Sequence, residues 1–248
     1  MFGVGGGLII VPVLHFVLLA RGYPADHLMH MAVATSLAVI VITSISSTLA
    51  HQRKQAVIWR SAILIAPGVV IGAWIGGLFA SSLGSSALSY TFAIFELLVA
   101  ISLIMDIRSG VHYERLPAPV ASLAGSIIGF VSTIVGIGGG TMTVPFLHWF
   151  GASMRNAVAT SAAIGFPIAL VGVLSYIYTG WGFTATDSQG NTALTLGYID
   201  LTAFAIIASS SFLFAPVGAK LAHSLPERAL RNSFALLLFS LSLMMFTQ

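Results

Sequence analysis

Apolar residues run along this chain in long blocks, and polar residues gather in the short breaks between them. Residues 3–20, 28–50, 61–83 and 88–105 are almost continuously apolar, and after a charged connection the pattern resumes at 117–150, 155–179, 197–219 and 229–247. A block near 20 residues is what an α-helix needs to cross a hydrocarbon core about 30 Å thick. The pattern predicts an all-α fold, a polytopic transmembrane helical bundle forming a single integral membrane domain over residues 1–248.

Composition agrees. The chain is 57% hydrophobic and only 7% charged, with a mean hydropathy of +1.00, whereas soluble domains carry roughly a quarter charged residues. It has no cysteine, which removes disulfides, thiolate catalysis and cysteine metal sites. The formal charge of +3 is read as a topology signal and not as nucleic-acid affinity, because membrane proteins collect Lys and Arg in cytoplasmic loops. Membrane lipid is the expected surround; no nucleic-acid partner, cofactor or metal is expected. His27 and His30 have helical i, i+3 spacing, but a pair without a third ligand is a weak zinc signal. No cleavable leader is expected, since neither a basic segment nor a small-residue cleavage site precedes the first block.

The blocks are duplicated. Gly3-Val4-Gly5-Gly6-Gly7 with Pro12 and His15 recurs as Gly136-Ile137-Gly138-Gly139-Gly140 with Pro145 and His148, all at an offset of 133. Ala32-Val33-Ala34-Thr35-Ser36 recurs as Ala157-Val158-Ala159-Thr160-Ser161 at 125, and Leu83, Ala87, Leu88, Phe92 and Ala93 match Leu225, Ala229, Leu230, Phe234 and Ala235 at 142. Repeat 1 is expected over about 1–107 and repeat 2 over about 117–248. The second motif follows a membrane-length run, 117–135, while the first stands at the start of the sequence, so the first helix of repeat 1 is expected to be missing.

Charge decides between two topologies. If residues 117–150 cross once, the ten Lys and Arg residues divide five and five between the two sides. If that stretch goes in and returns, hinged at Gly136–Gly140, nine share a side and only Arg21 lies opposite. The second arrangement obeys the positive-inside rule. It also inverts the repeats relative to one another, with broken or re-entrant helices at the glycine motifs. Many secondary transporters are built so, with the substrate held near the midplane where the repeats meet.

The chemistry of the motifs fits an anion. Irregular backbone at membrane depth survives only when buried in protein or lining a wet cavity, and consecutive glycines ahead of a helix aim several N–H groups into one concavity. Gly3, Gly5, Gly6, Gly7, Gly136, Gly138, Gly139 and Gly140 are the candidate cradle, with Thr35, Ser36, Thr160 and Ser161 as candidate hydroxyl donors. Tight interhelical packing by the glycines, and hydroxyls bonded back to their own helices, are the alternatives. The motif is no nucleotide loop, because a P-loop requires Gly-Lys-Ser/Thr at its end and the dinucleotide fingerprint a glycine where Leu8 and Thr141 stand. Glu96, a carboxyl inside an apolar block, is a candidate for proton coupling or a dimer contact. His15 and His148 are second-rank candidates for binding or proton transfer. The ladder Gly68, Gly72, Gly76 has the spacing of close helix packing.

With its paired GxGGG…P and A-x-A-T-S elements, the sequence resembles the TauE/SafE family of membrane transporters, the sulfite exporters. The resemblance covers almost the whole chain. It implies export of sulfite or an organosulfonate across a bacterial inner membrane, and the absent first helix departs from the family pattern. The expected function is that of a secondary transporter exporting a small anion by alternating access. An anion channel, an importer of another small metabolite and a non-transporting membrane scaffold stand as alternatives. An enzyme is not expected.

Overall fold

The computed structural model describes residues 6–105, 116–211 and 227–246. Helices α1 (Gly7–Ala20), α2 (Leu28–Gln52, entered through a 3-10 turn at Ala25–His27), α3 (Trp59–Ser82) and α4 (Ser85–Met105) come first. They are followed by α5 (Ala118–Val135), α6 (Gly140–Trp149) and α7 (Met154–Thr179), a two-stranded hairpin β1 (Thr195–Leu196) and β2 (Ile199–Asp200), α8 (Leu201–Ser211) and α9 (Glu227–Phe246). Five helical segments, Ala25–Gln52, α3, α4, α5 and α7, are long and apolar enough to cross a membrane. By contrast α6, at 10 residues, is about 15 Å long, half the thickness of a hydrocarbon core.

The centre of the bundle is α2, buried without interruption from Leu28 to Ile40. It packs on α7, its own equivalent in the duplication, and α4 packs on α9, again its equivalent. The contacts α1 with α2 and α6 with α7 are likewise equivalent. The outer surface is apolar: Ile63, Leu98 and Leu123 are each exposed by 60% or more, as a surface facing lipid tails must be.

The glycine ladder brings two backbones together. Gly68, Gly72 and Gly76 of α3 lie directly against the backbones of Ser122, Ser126 and Phe130, while Gly125 and Gly129 of α5 lie against Ile65 and Val69. Both series rise together, so α3 and α5 run parallel. No side chain fits between them, and a methyl group at Gly76 would stand 2.5 Å from the Phe130 carbonyl oxygen. Small residues every fourth position permit this close approach, in which van der Waals contact replaces the hydrophobic drive that lipid cannot supply.

The two ends of the bundle are distinct. At one, Arg155 at the start of α7 donates to the Lys54 carbonyl oxygen, just beyond α2, at 3.4 Å. At the other, His30 Nε2 lies 3.2 Å from the Ala80 carbonyl oxygen, and the Met29 amide donates to Ser85 Oγ at 3.0 Å. The rings of His27, Phe183 and Tyr198 cluster there in edge-on and tilted contacts, 5.0–5.5 Å apart. The polar insertion Thr184–Thr195 folds over this second end. Its turn is held by Asp187, whose carboxylate accepts from the amides of Gln189 and Asn191, and the Asn191 bonds keep the Asp187 carboxyl below the usual range.

Candidate functional site

The glycine motifs are tight turns built on left-handed residues. Gly136 (φ 76°) ends α5, its amide and that of Ile137 both reaching the Ser132 carbonyl oxygen. Gly139 (φ 72°) then starts α6, its carbonyl accepting from Met142 and Thr143 at 3.1 and 2.8 Å. The first copy repeats the second half of this turn. Gly6 (φ 75°) precedes α1, and its carbonyl accepts from Ile9 and Ile10 at 3.0 Å each. Glycine adopts this backbone without the penalty a Cβ brings, which is why the motif needs glycine at these positions. Gly3 and Gly5 lie outside the described residues.

The two turns touch. A methyl at Gly7 would stand 2.6 Å from the Gly136 carbonyl oxygen and 3.0 Å from Ile137 Cα, and one at Gly136 would press on Val11 and Val33. Gly138 faces Ile40, and a methyl at Gly165 of α7 would meet the Gly138 carbonyl oxygen at 3.0 Å. The motifs are thus the place where the two halves of the duplication meet.

The A-x-A-T-S hydroxyls are already engaged, and of the four Ser36 reaches this junction. Thr35 Oγ1 accepts the Asp200 amide at 3.0 Å, and Thr160 Oγ1 accepts the Ile58 amide at 2.9 Å. Both pairs are equivalent, because Ile58 and Asp200 are also related by the offset of 142. Each threonine crosses to the other half and holds the entry of its third helix; Asp200 in turn caps α8 by accepting from Thr202 and Ala203. The serines diverge: Ser36 donates to the Gly136 carbonyl oxygen at 2.9 Å, whereas Ser161 bonds back to Val158 of its own helix at the same distance.

Other polar groups at the second turn are unengaged: the glycine amides named from the sequence, and a set of hydroxyls that the sequence reading passed over. Among the described residues the amides of Gly138, Gly139, Gly140 and Thr141 make no hydrogen bond. The hydroxyls of Ser132, Thr133, Thr141 and Thr143 are buried without a partner. Buried polar groups are almost always bonded, so such a concentration on both sides of one loop singles it out. Among the described residues no lysine or arginine is buried; whatever charge binds here meets dipoles only.

The second-rank candidates stand apart. His148 Nδ1 lies 2.9 Å from the Ala152 carbonyl oxygen and closes the far end of α6, about 12 Å along the helix from Gly140. His15 is buried, edge-on to Phe16. Glu96 is fully buried on the α4 face where Ser242 of α9 donates to the Ala93 carbonyl oxygen at 2.8 Å, and both its carboxyl oxygens are without a hydrogen-bond partner.

Comparison with known proteins follows the same lines. The family model "Sulfite exporter TauE/SafE" matches residues 1–245. A "Probable membrane transporter protein" of Haemophilus influenzae is 34% identical over 99% of this chain and 92% of its own length. A similarly named protein of Bacillus subtilis is 31% identical over 73% of both chains, and one of Methanocaldococcus jannaschii is 27% identical over 99% of this chain and 89% of its own. No solved structure matches.

Proposed function

Since the chain belongs to the TauE/SafE family and is a membrane transporter, we propose that it is a secondary transporter moving a small anion of the sulfite or organosulfonate class across a bacterial inner membrane. The observation that carries this reading is the buried turn from Gly136 into α6, where the four partnerless amides of Gly138–Thr141 lie at the contact of the two halves and, among the described residues, no buried lysine or arginine accompanies them. Oriented N–H dipoles at a helix start are a ready anion site, and in transporters with broken helices they receive anionic substrate near the midplane.

Alternating access follows from two inverted repeats. This topology is supported by the proximity of Lys54 to Arg155 and by the reciprocal threonine bonds. If α5 enters and α6 returns, both Gln52 and Ser153 face the cytoplasm and Ser188 faces outward. Single cysteines placed at these positions in a cysteine-free chain are expected to label from inside, inside and outside. Labelling of Gln52 and Ser188 from one side rejects the inversion.

Transport itself is checked with purified protein in liposomes. Labelled sulfite or methanesulfonate is expected to show counterflow when unlabelled anion is trapped on the other side, which passive conduction does not give. A rate that responds to an imposed pH gradient identifies proton coupling, for which Glu96 is, among the described residues, the buried acid without a hydrogen-bond partner. No flux of any sulfur oxyanion through folded protein rejects this function.

A further inference from the structure

Over their described half, the two glycine turns have the same backbone but not the same chemistry. Leu8 and Ile10 occupy in the first the positions of Thr141 and Thr143 in the second. Among the described residues, the unpartnered hydroxyls at the junction all come from the second half. Resting on the reading of the loop as an anion site, we propose that the site is one-sided, and that Ser132 and Thr143 are its specificity-determining residues, holding a singly charged sulfur oxyanion against the amides of Gly138–Thr141.

The placement of both residues argues for it. Ser132 Oγ lies 3.3 Å from the point where a Cβ on Gly139 would stand. Thr143 begins the next turn after Gly139, with its amide on the Gly139 carbonyl at 2.8 Å, and helix side chains lean toward the N-terminus, back over the loop. Both residues are fully buried and neither hydroxyl has a partner. Groups from the end of α5 and the first turn of α6 thus bracket the same glycine, whose other neighbours are the apolar ends of Ile128 and Ile168.

The donor set defines the ligand. Amides can only donate, so they suit unprotonated oxygens; hydroxyls donate and accept, so they also suit an oxyanion that keeps one proton. All are neutral. Removing an ion from water costs in proportion to the square of its charge, and among the described residues no buried lysine or arginine offsets that cost. A monoanion such as a sulfonate or hydrogen sulfite is therefore favoured over sulfate. Thr133 has no part: its Oγ1 points toward Gly172 of α7, 3.4 Å from a Cβ placed there.

Calorimetric titration of the purified protein with methanesulfonate tests the assignment apart from transport. Wild type is expected to bind, and to bind sulfate at least about 10-fold more weakly. Ser132→Ala and Thr143→Val should each lose at least about 10-fold in affinity, the size of one hydrogen bond to an ion. Thr143→Ser should stay within about 3-fold, and Ser81→Ala, which removes an exposed hydroxyl bonded to its own helix, should match wild type. Wild-type affinity in Thr143→Val, or equal losses in Thr143→Val and Thr143→Ser, overturns the proposal; so does wild type that binds neither methanesulfonate nor sulfite, or that prefers sulfate. Anion flux that persists with binding unchanged in both hydroxyl variants leaves the transporter standing and removes this site. Intact, hydroxyl-dependent binding without flux does the reverse.

Discussion

Gly72→Leu is expected to prevent the bundle from assembling. The added side chain would enter the backbone of Ser126, whose Cα would lie 2.8 Å from the new Cβ. Backbone cannot rotate away as a side-chain tip does. The helices must separate, and the neighbouring contacts at Gly68, Gly76, Gly125 and Gly129 open with them. Overpacking a core typically costs 1–3 kcal/mol; with four further close contacts coupled to the same separation, a loss of about 3 kcal/mol or more is expected. Thermal unfolding and gel filtration in detergent will show it as loss of the monodisperse species. Gly84→Ala is the control, because nothing lies within 4 Å of a Cβ there. If the two variants behave alike, the close α3–α5 contact is not a determinant of the fold.

Gly139→Ala should have the opposite profile, losing transport in a folded protein. The backbone at φ 72° disfavours a Cβ by about 1–2 kcal/mol. The Cβ itself meets the end of the Ile168 side chain, which can turn, and stands 3.3 Å from Ser132 Oγ. The penalty is thus modest for stability but falls inside the proposed cradle. Counterflow is expected to drop at least about 100-fold, because misplacing reacting or binding groups by about 1 Å has that scale of effect, while the melting transition shifts only by several degrees. Wild-type flux in Gly139→Ala would show that the substrate does not pass this loop.

The sequence carried the spans well, because a membrane leaves few choices. An apolar block must become a helix that satisfies its own backbone, and its length is dictated by the bilayer. The ladder at Gly68, Gly72 and Gly76 was also legible, since its four-residue spacing places the glycines along one side of α3. Less legible was the job of each hydroxyl. Thr35 and Thr160 recur visibly, but their partners lie 165 and 102 residues away, and no local pattern names them. Ser36 and Ser161 occupy matched positions, yet one reaches across to Gly136 and the other bonds within its own helix. Ser132 and Thr143 escaped notice for a different reason: their interest is that burial leaves them without a partner, a property of packing rather than of residue type. The contrast of Thr141 and Thr143 with Leu8 and Ile10 was present in the alignment of the halves. It gained meaning only when the turn between α5 and α6 was seen to be closed around them.

The crossed threonine bonds bear on which parts of the molecule can travel together. Thr160 of α7 holds the entry of α3, and α3 is locked along its length to α5; Thr35 of α2 holds the entry of α8. A displacement of α7 therefore drags α3 with it, although the two helices come from different copies of the ancestral segment. If the proposed alternating-access cycle operates, the pieces that slide past one another are chimeric, each drawing helices from both halves of the sequence, and a cut made at the repeat boundary would divide both pieces instead of releasing one.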